Sequence, residues 1–406
     1  MGRSLVLGVD AGSSTVVAAL AEVGAGDPRI IGVGSSPSEG IKRGMVTDLT
    51  AAAAAISQAV AQADRGGRLA GEAKAVLGVS GPHVRSVVGR AEVMVEDPST
   101  GVAPLDVERA TNSAGSVELP EGRQVIHVIP LGYQLDGAEG VTDPVGLAGR
   151  ILTAEAHLIT VDGLPVQNYL RAAIKAGVQV ADYQLGLYAA AEAVLTKEER
   201  QAGTLVLDMG AGLTGMAIYA GGRLHHVQLV PVGAEHITRD LASVLQVPVH
   251  VAERLKTERG WATVLQCPDT SLELISPGQK TREMQDRRLA QIIEPRVQEI
   301  FHLVAEAVKN AECGEVPLGS VVLTGGGARL KGIAEAASNW FGMPARIGVP
   351  SGASGDGPEF STAVGLVHWG AAAVQAGIGA TEETGQEQEQ QDNRGGHTNW
   401  LSGLFS

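Results

Sequence analysis

The sequence predicts an α/β protein assembled from two related halves, each built around an aspartate and a glycine-rich turn. The stretches "VLGVDAGSST" (Val6–Thr15) and "VLDMGAGLTG" (Val206–Gly215) state the same pattern twice. Each continues into runs of small and β-branched residues that read as further strands in the same order, so the halves are duplicates. The 54 glycines, spread over 406 residues, ask for many tight turns in a chain long enough for two or more domains.

Composition narrows the function classes. Apolar residues at 44% and charged residues at 19% describe an ordinary soluble protein. With 31 basic against 45 acidic residues the net charge is −14, and no basic run interleaves with aromatics, which excludes nucleic acid as an expected partner. Cys267 and Cys313 lack metal-ligand spacing, and the residues after Met1 read as a strand rather than a signal peptide, so a reducing cytoplasm is expected.

In chain order, Leu5–Val9 and Thr15–Ala21 read as a hairpin around the first turn, and an alanine-rich helix over Leu49–Ala63 opens at Thr47 or Asp48. A strand follows at Ala75–Val79. From 82 to 161 the texture changes to alternating stretches, Arg85–Met94 and Gln124–Leu135, with a helix near Leu105–Ala114 capped by Pro104; this reads as a small inserted α/β subdomain. Helix Pro165–Ala176, strand Val178–Tyr183 and helix Leu187–Leu195 complete the first half, expected over 1–81 and 162–200. Strands Leu205–Asp208, Thr214–Ala220 and Arg223–Val230, the last two joined at Gly221–Gly222, open the second half, expected over 201–376. Apolar positions at helical spacing predict a long helix over Leu289–Val308, interrupted by Pro295. A strand at Val321–Leu323 leads into "TGGGARLKGI", and a last helix spans Phe360–Ala376. Beyond Gly377 the Glu- and Gln-rich composition reads as a disordered linker over 377–398.

A strand that ends in aspartate and then turns through glycines presents backbone N–H groups that a phosphate can approach. The turns Asp10, Ala11, Gly12, Ser13, Ser14, Thr15 and Asp208, Gly210, Ala211, Gly212, Leu213, Thr214 therefore read as two phosphate clamps. Asp10 and Asp208 would together hold a hydrated magnesium ion, which keeps most of its waters and binds through one or two acids. The third turn, Gly325, Gly326 and Gly327 with Arg329, lacks an acid and suits adenine and ribose. Glu253 and Lys256, three apart on one helical face, either reach a ribose hydroxyl and the base or an α-phosphate oxygen, or form a surface ion pair.

These turns, with the helix carrying "AEAVL" (Ala191–Leu195) between them, resemble the actin-like ATPase superfamily: duplicated ribonuclease-H-like domains around a nucleotide cleft. Within it the chain is most similar to the bacterial cell-division FtsA family. The closer match lies in "EGIKRGMVTDLTAA" (Glu39–Ala52), "VSGPHVRS" (Val79–Ser86), the run from His127 to Thr160, "PVGAEHITRDLASVL" from Pro231 and "IIEPRVQEIFHLV" from Ile292. The resemblance implies ATP and magnesium as cofactors, an FtsA-type insertion, filaments of copies of itself, and tethering of the FtsZ C-terminal tail to the cytoplasmic membrane among other division proteins.

It further implies a partner-binding subdomain near 257–312, where Arg287, Arg288 and Arg296 are candidates for an acidic peptide, solvated surface arginines being the alternative. Glu192 falls where relatives place a water-orienting residue, though the position also suits a surface acid. Ala211, Leu213 and Gly215 depart from the family's second turn, and Gly215 has no side chain to orient a water, so weak or absent ATP hydrolysis is expected. In "NWLSGLFS", Trp400, Leu401, Leu404 and Phe405 share one helical face, which reads as a membrane-targeting helix over 399–406 or as a tail that folds back or frays. A PilM-like scaffold of pilus assembly is the nearest alternative, and a small-molecule kinase of the same superfamily a further one.

Overall fold

The computed structural model describes residues 4–67, 71–274, 282–311, 316–351 and 357–377. The linker and the tail with Trp400, Leu401, Leu404 and Phe405 lie outside the described residues.

In the first half, β1 (Ser4–Ala11) and β2 (Thr15–Val23) pair antiparallel around the first glycine turn, with Asp10 opposite Val17. Strand β3 (Arg29–Pro37), which sequence periodicity missed, extends that sheet. A short hairpin of β4 (Ile41–Lys42) and β5 (Met45–Val46) precedes α1 (Leu49–Ala63). Asp48 caps this helix by accepting from the backbone N–H groups of Thr50 and Ala51, two of the donors that a helix start leaves unpaired. Strand β6 (Lys74–Val79) joins β1 in parallel.

The insertion is a sheet of its own. It comprises β7 (Arg85–Met94), α2 (Pro104–Gly115), β8 (Arg123–Leu135), β9 (Ala138–Val141) and β10 (Ile151–Asp162), in the order β7-β10-β8-β9 with α2 packed on β7 and β10. The central strand β10 escaped the sequence reading because burial on both faces removes the alternation that marks a half-exposed strand. Pro104 sits at the first helical position, not at the cap. Ala103 is the cap residue, and the buried Asp106 carboxylate accepts from the Ala103 and Glu96 N–H groups.

The chain then returns through α3 (Gly163–Lys175), β11 (Val180–Leu185), α4 (Gly186–Val194) and α5 (Lys197–Ala202), completing a first sheet ordered β11-β6-β1-β2-β3. The second half repeats it. Strands β12 (Thr204–Met209), β13 (Thr214–Ala220) and β14 (Arg223–Val230) form the antiparallel part, the β13–β14 turn requiring positive φ at both Gly221 (56°) and Gly222 (77°). There follow α6 (Ala234–Leu245), α7 (Val249–Arg259), the hairpin β15 (Ser271–Leu274) and β16 (Arg282–Gln285), α8 (Asp286–Asn310), β17 (Ser320–Thr324), a 3₁₀ turn Gly326–Arg329, α9 (Ile333–Phe341) and β18 (Ala345–Ile347). The second sheet runs β14-β13-β12-β17-β18, the first sheet's order. Asp208 lies opposite Gly215 on the neighbouring strand, as Asp10 lies opposite Val17.

Two expectations are corrected here. Helix α8 runs unbroken through Pro295; the exposed position leaves water to satisfy the carbonyl that the missing N–H would have bonded. The last helix, α10 (Ser361–Gln375), does not belong with the second half as the 201–376 boundary assumed. It packs on α4, β1 and β6 of the first half, where Val364 and Val367 join Val6 and Val17, and Leu366 joins Val76. Its small residues permit the approach: a Cβ on Gly8 of β1 would come within 2.1 Å of the Ala363 carbonyl oxygen.

Candidate functional site

Between the halves lies a cleft of about 750 Å³. Its walls are the first turn (Asp10 to Thr15), the second turn (Asp208 and Gly210 to Leu213) and the third turn (Gly325 to Gly327), each at the carboxyl end of a sheet strand. The two aspartate turns are closely alike. A Cβ on Gly12 would stand 2.8 Å from the Thr15 carbonyl oxygen, and one on Gly210 would stand 2.9 Å from that of Leu213. Both turns fold too tightly for a side chain at these positions, which leaves their backbone exposed to the cleft.

The carboxylates sit deep between these turns. Burial raises Asp10 to about 7, and the Asp208 carboxylate adds to the rise; burial alone raises Asp208 to about 6. Two acids held together at this cost are a donor set that suits a hydrated divalent cation, whose charge would offset their repulsion. Among the described residues no cluster of three or more His, Cys, Asp or Glu side chains is placed to hold a metal ion. Gly325, at φ 80°, brings the third turn against the same acid, because a Cβ there would come within 2.2 Å of Asp208 Oδ1.

Glu253 and Lys256 also line the cleft. Lys256 Nζ donates to Glu253 Oε2 (2.7 Å), Thr238 Oγ1 (2.9 Å) and the Ala234 carbonyl oxygen (3.3 Å), so the ion pair and the cleft lining are one arrangement. Arg329 pairs with Glu359 at 2.5 Å, and Phe360 and Thr362 also line the wall, Thr362 beside Gly78 and Gly186 on the Asp10 side. Glu359, Phe360 and Thr362 carried no sequence signal, since only the return of α10 to the first half brings them to the cleft.

Two expected residues stand elsewhere. Thr214 is buried and donates its hydroxyl to the Val232 carbonyl oxygen at 2.8 Å, holding β13 to the segment after β14. Glu192 does not line the cleft. Its carboxylate accepts from Arg200 Nη1 at 2.6 Å and from the Tyr219 hydroxyl at 3.3 Å, and burial raises its pKa. Of the three arginines considered for a partner peptide, Arg287 and Arg288 are exposed on α8. Arg296 is held by a fork to Asp240 (2.7 and 3.0 Å) and by Glu299.

Paired sheets of identical strand order around such a cleft define an actin-like protein. The fold matches a chain of the PilM–PilN type IV pilus biogenesis complex (TM-score 0.65, 19% identity, 90% of this chain and 98% of that one). It also matches MreB5 of Spiroplasma citri bound to ADP (TM-score 0.57, 14% identity, 92% and 98%). The chain belongs to the FtsA family of cell division proteins: the model for "Cell division protein FtsA" matches residues 205–365, and that for "SHS2 domain inserted in FTSA" matches 81–160. It is 34% identical over 388 residues to Cell division protein FtsA of Escherichia coli K12, covering 91% of this chain and 90% of that protein. To the protein of the same name from Pseudomonas aeruginosa it is 32% identical over 376 residues, covering 90% and 89%.

Proposed function

We propose that this chain binds ATP with magnesium between the two aspartate turns and works as a division adaptor. In that role it assembles into filaments, docks the C-terminal tail of FtsZ on its second half, and is held at the inner face of the cytoplasmic membrane by its terminal segment, among other division proteins. The observation that carries the nucleotide reading is the meeting of Asp10 and Asp208 in one cleft between matching glycine turns. Family membership supports the division role. The exposed Arg287 and Arg288 on α8 are the residues we assign to an acidic partner peptide.

The nucleotide serves here to hold a conformation more than to be consumed. Gly215 offers no group to a water, a Cβ at that position would press on the Leu187 side chain, and Glu192 is engaged by Arg200 away from the cleft. Among the described residues no helix is long and apolar enough to cross a membrane. We assign attachment at the bilayer surface to Trp400, Leu401, Leu404 and Phe405, which the sequence pattern would set on one helical face. Vesicle co-sedimentation with ATP and magnesium tests the whole reading, with and without the cognate FtsZ and beside a chain truncated after Gly377. Pelleting and FtsZ recruitment by the full-length chain, lost on truncation, are expected. A full-length chain that stays in solution and ignores FtsZ would refute the adaptor role.

A further inference from the structure

Resting on the nucleotide reading, we propose that Arg43 is a positioning cation for the terminal phosphate of the bound nucleotide, by which the cleft tells a triphosphate from a diphosphate. Arg43 lies in the turn between β4 and β5, in the "EGIKRG" stretch. It is one of three non-glycine residues among those described with positive φ (49°), and glycines at positive φ, Gly40 (74°) and Gly44 (73°), stand close on either side. A side chain in the left-handed region costs free energy, about 1 kcal/mol or more, that a glycine would not. The turn nonetheless carries an arginine.

Its surroundings fix where that arginine stands. The Arg43 N–H donates to Ser13 Oγ at 2.8 Å, tying the turn to the first phosphate clamp. Across the cleft, a Cβ on Gly212 of the second clamp would stand 3.2 Å from Arg43 Cγ and 2.9 Å from Ser13 Oγ. The Arg43 stem therefore spans the two clamps at the point where they approach each other. From behind, Gly44 packs on the Ser80 carbonyl oxygen, which a Cβ would approach to 1.9 Å, so the turn has no room to retreat.

The charge at the end of this stem is uncommitted. Arg43 is exposed and forms no ion pair among the described residues, unlike Arg329, Arg200 and Arg296, each of which is held by a carboxylate. A guanidinium presents a planar set of donors suited to phosphate oxygens. Gly44, the next residue, lines the cleft while Arg43 stands just outside its lining. Turned inward, the guanidinium would meet the last phosphate of a triphosphate seated between Gly12 and Gly212, and a diphosphate would offer it no such partner. The β4–β5 turn is thus a third element of the phosphate site, supplying the positive charge that the two aspartates and the net charge of −14 lack there.

Calorimetric titration of the full chain with Mg-ATP and Mg-ADP tests this on the wild type, Arg43→Asn and Arg43→Lys. Asparagine tolerates the left-handed backbone, so the first substitution removes the charge while keeping the turn. The expected result is a loss of about tenfold or more in ATP affinity for Arg43→Asn with ADP affinity within about twofold, and partial retention in Arg43→Lys. An equal loss for both nucleotides would mean that Arg43 only shapes the turn, and unchanged affinities would mean that its charge is idle; either overturns the assignment. A wild-type chain that binds neither nucleotide would instead overturn the reading of the cleft itself.

Discussion

Gly365 of the last helix lies against Ala189 of α4, so closely that a Cβ at Gly365 would stand 1.9 Å from the Ala189 carbonyl oxygen. An alanine in a helix interior ordinarily gains about 1 kcal/mol over glycine. Here the obstacle is backbone on a packed helix, and overpacking of this kind costs about 1 to 3 kcal/mol, more where nothing can yield. Gly365→Ala is therefore expected to lower thermal stability despite its better propensity. A raised melting temperature would mean that α10 can slide off the first half.

The paired acids predict how stability changes with pH. Asp10 and Asp208 are raised from 3.8 to about 7 and about 6, so the folded chain holds protons that the unfolded chain has released. Their contribution is fully present below the unfolded value and is lost as pH rises through the folded values, with a slope approaching ~1.4 kcal/mol per pH unit for each proton of difference. In nucleotide-free protein the wild-type melting temperature should fall relative to that of Asp10→Asn between about pH 4 and about pH 7. Parallel curves for the two proteins across that window would show that Asp10 ionises as freely as in water. Asp10→Asn should also abolish magnesium-dependent nucleotide binding.

Gly325→Ala tests the third turn. The added methyl would meet Asp208 Oδ1 at 2.2 Å and would have to adopt φ 80°, which alanine resists. Nucleotide affinity should drop at least about tenfold, because Asp208, the acid we assign to magnesium, and the third turn would be displaced together. Calorimetry on the folded variant, checked by circular dichroism, measures it; wild-type affinity would mean that the turn does not touch the nucleotide.

Glu192 gives a contrasting result. Its carboxylate bridges Arg200 and Tyr219, so Glu192→Gln should reduce stability by about 1 to 3 kcal/mol in chemical denaturation and leave nucleotide affinity within about twofold. Turnover of ATP by the wild type is expected below about 10⁻² s⁻¹, the order reached by a GTPase that orients its water and supplies its arginine in cis, and Glu192→Gln should leave it unchanged. A steep fall in turnover would return Glu192 to the chemistry.

Much of this architecture was legible in the residues. Asp48 capping α1, the two aspartate turns and the Gly221–Gly222 hairpin are local devices, and local devices are written in adjacent letters. What escaped depends on packing between distant segments. Strand β10 has no alternation because α2 covers one face and other elements the opposite one. Glu192 was assigned by its place on a helix, and only the fold shows Arg200 and Tyr219 closing around it. The home of α10 was equally hidden, since nothing within Ser361–Gln375 names the sheet that its small face will meet.

That homecoming decides how force would travel through the molecule. Gln375, in the final turn of α10, donates to the carbonyl oxygens of Gly24 (3.0 Å) and Gly26 (2.8 Å) in the loop after β2. Both ends of the described chain are thereby fastened to one body, and the second half is a closed excursion that leaves it after α5 and rejoins it before α10. A pull on residue 377 would load the first sheet directly and bypass the cleft. The second half does not hang from its two crossings alone. Val206, Ala217, Tyr219 and Val322 share one hydrophobic core with Leu7 and Leu77, and Arg346 is forked onto Glu199, so the first sheet would pass load on through packed side chains.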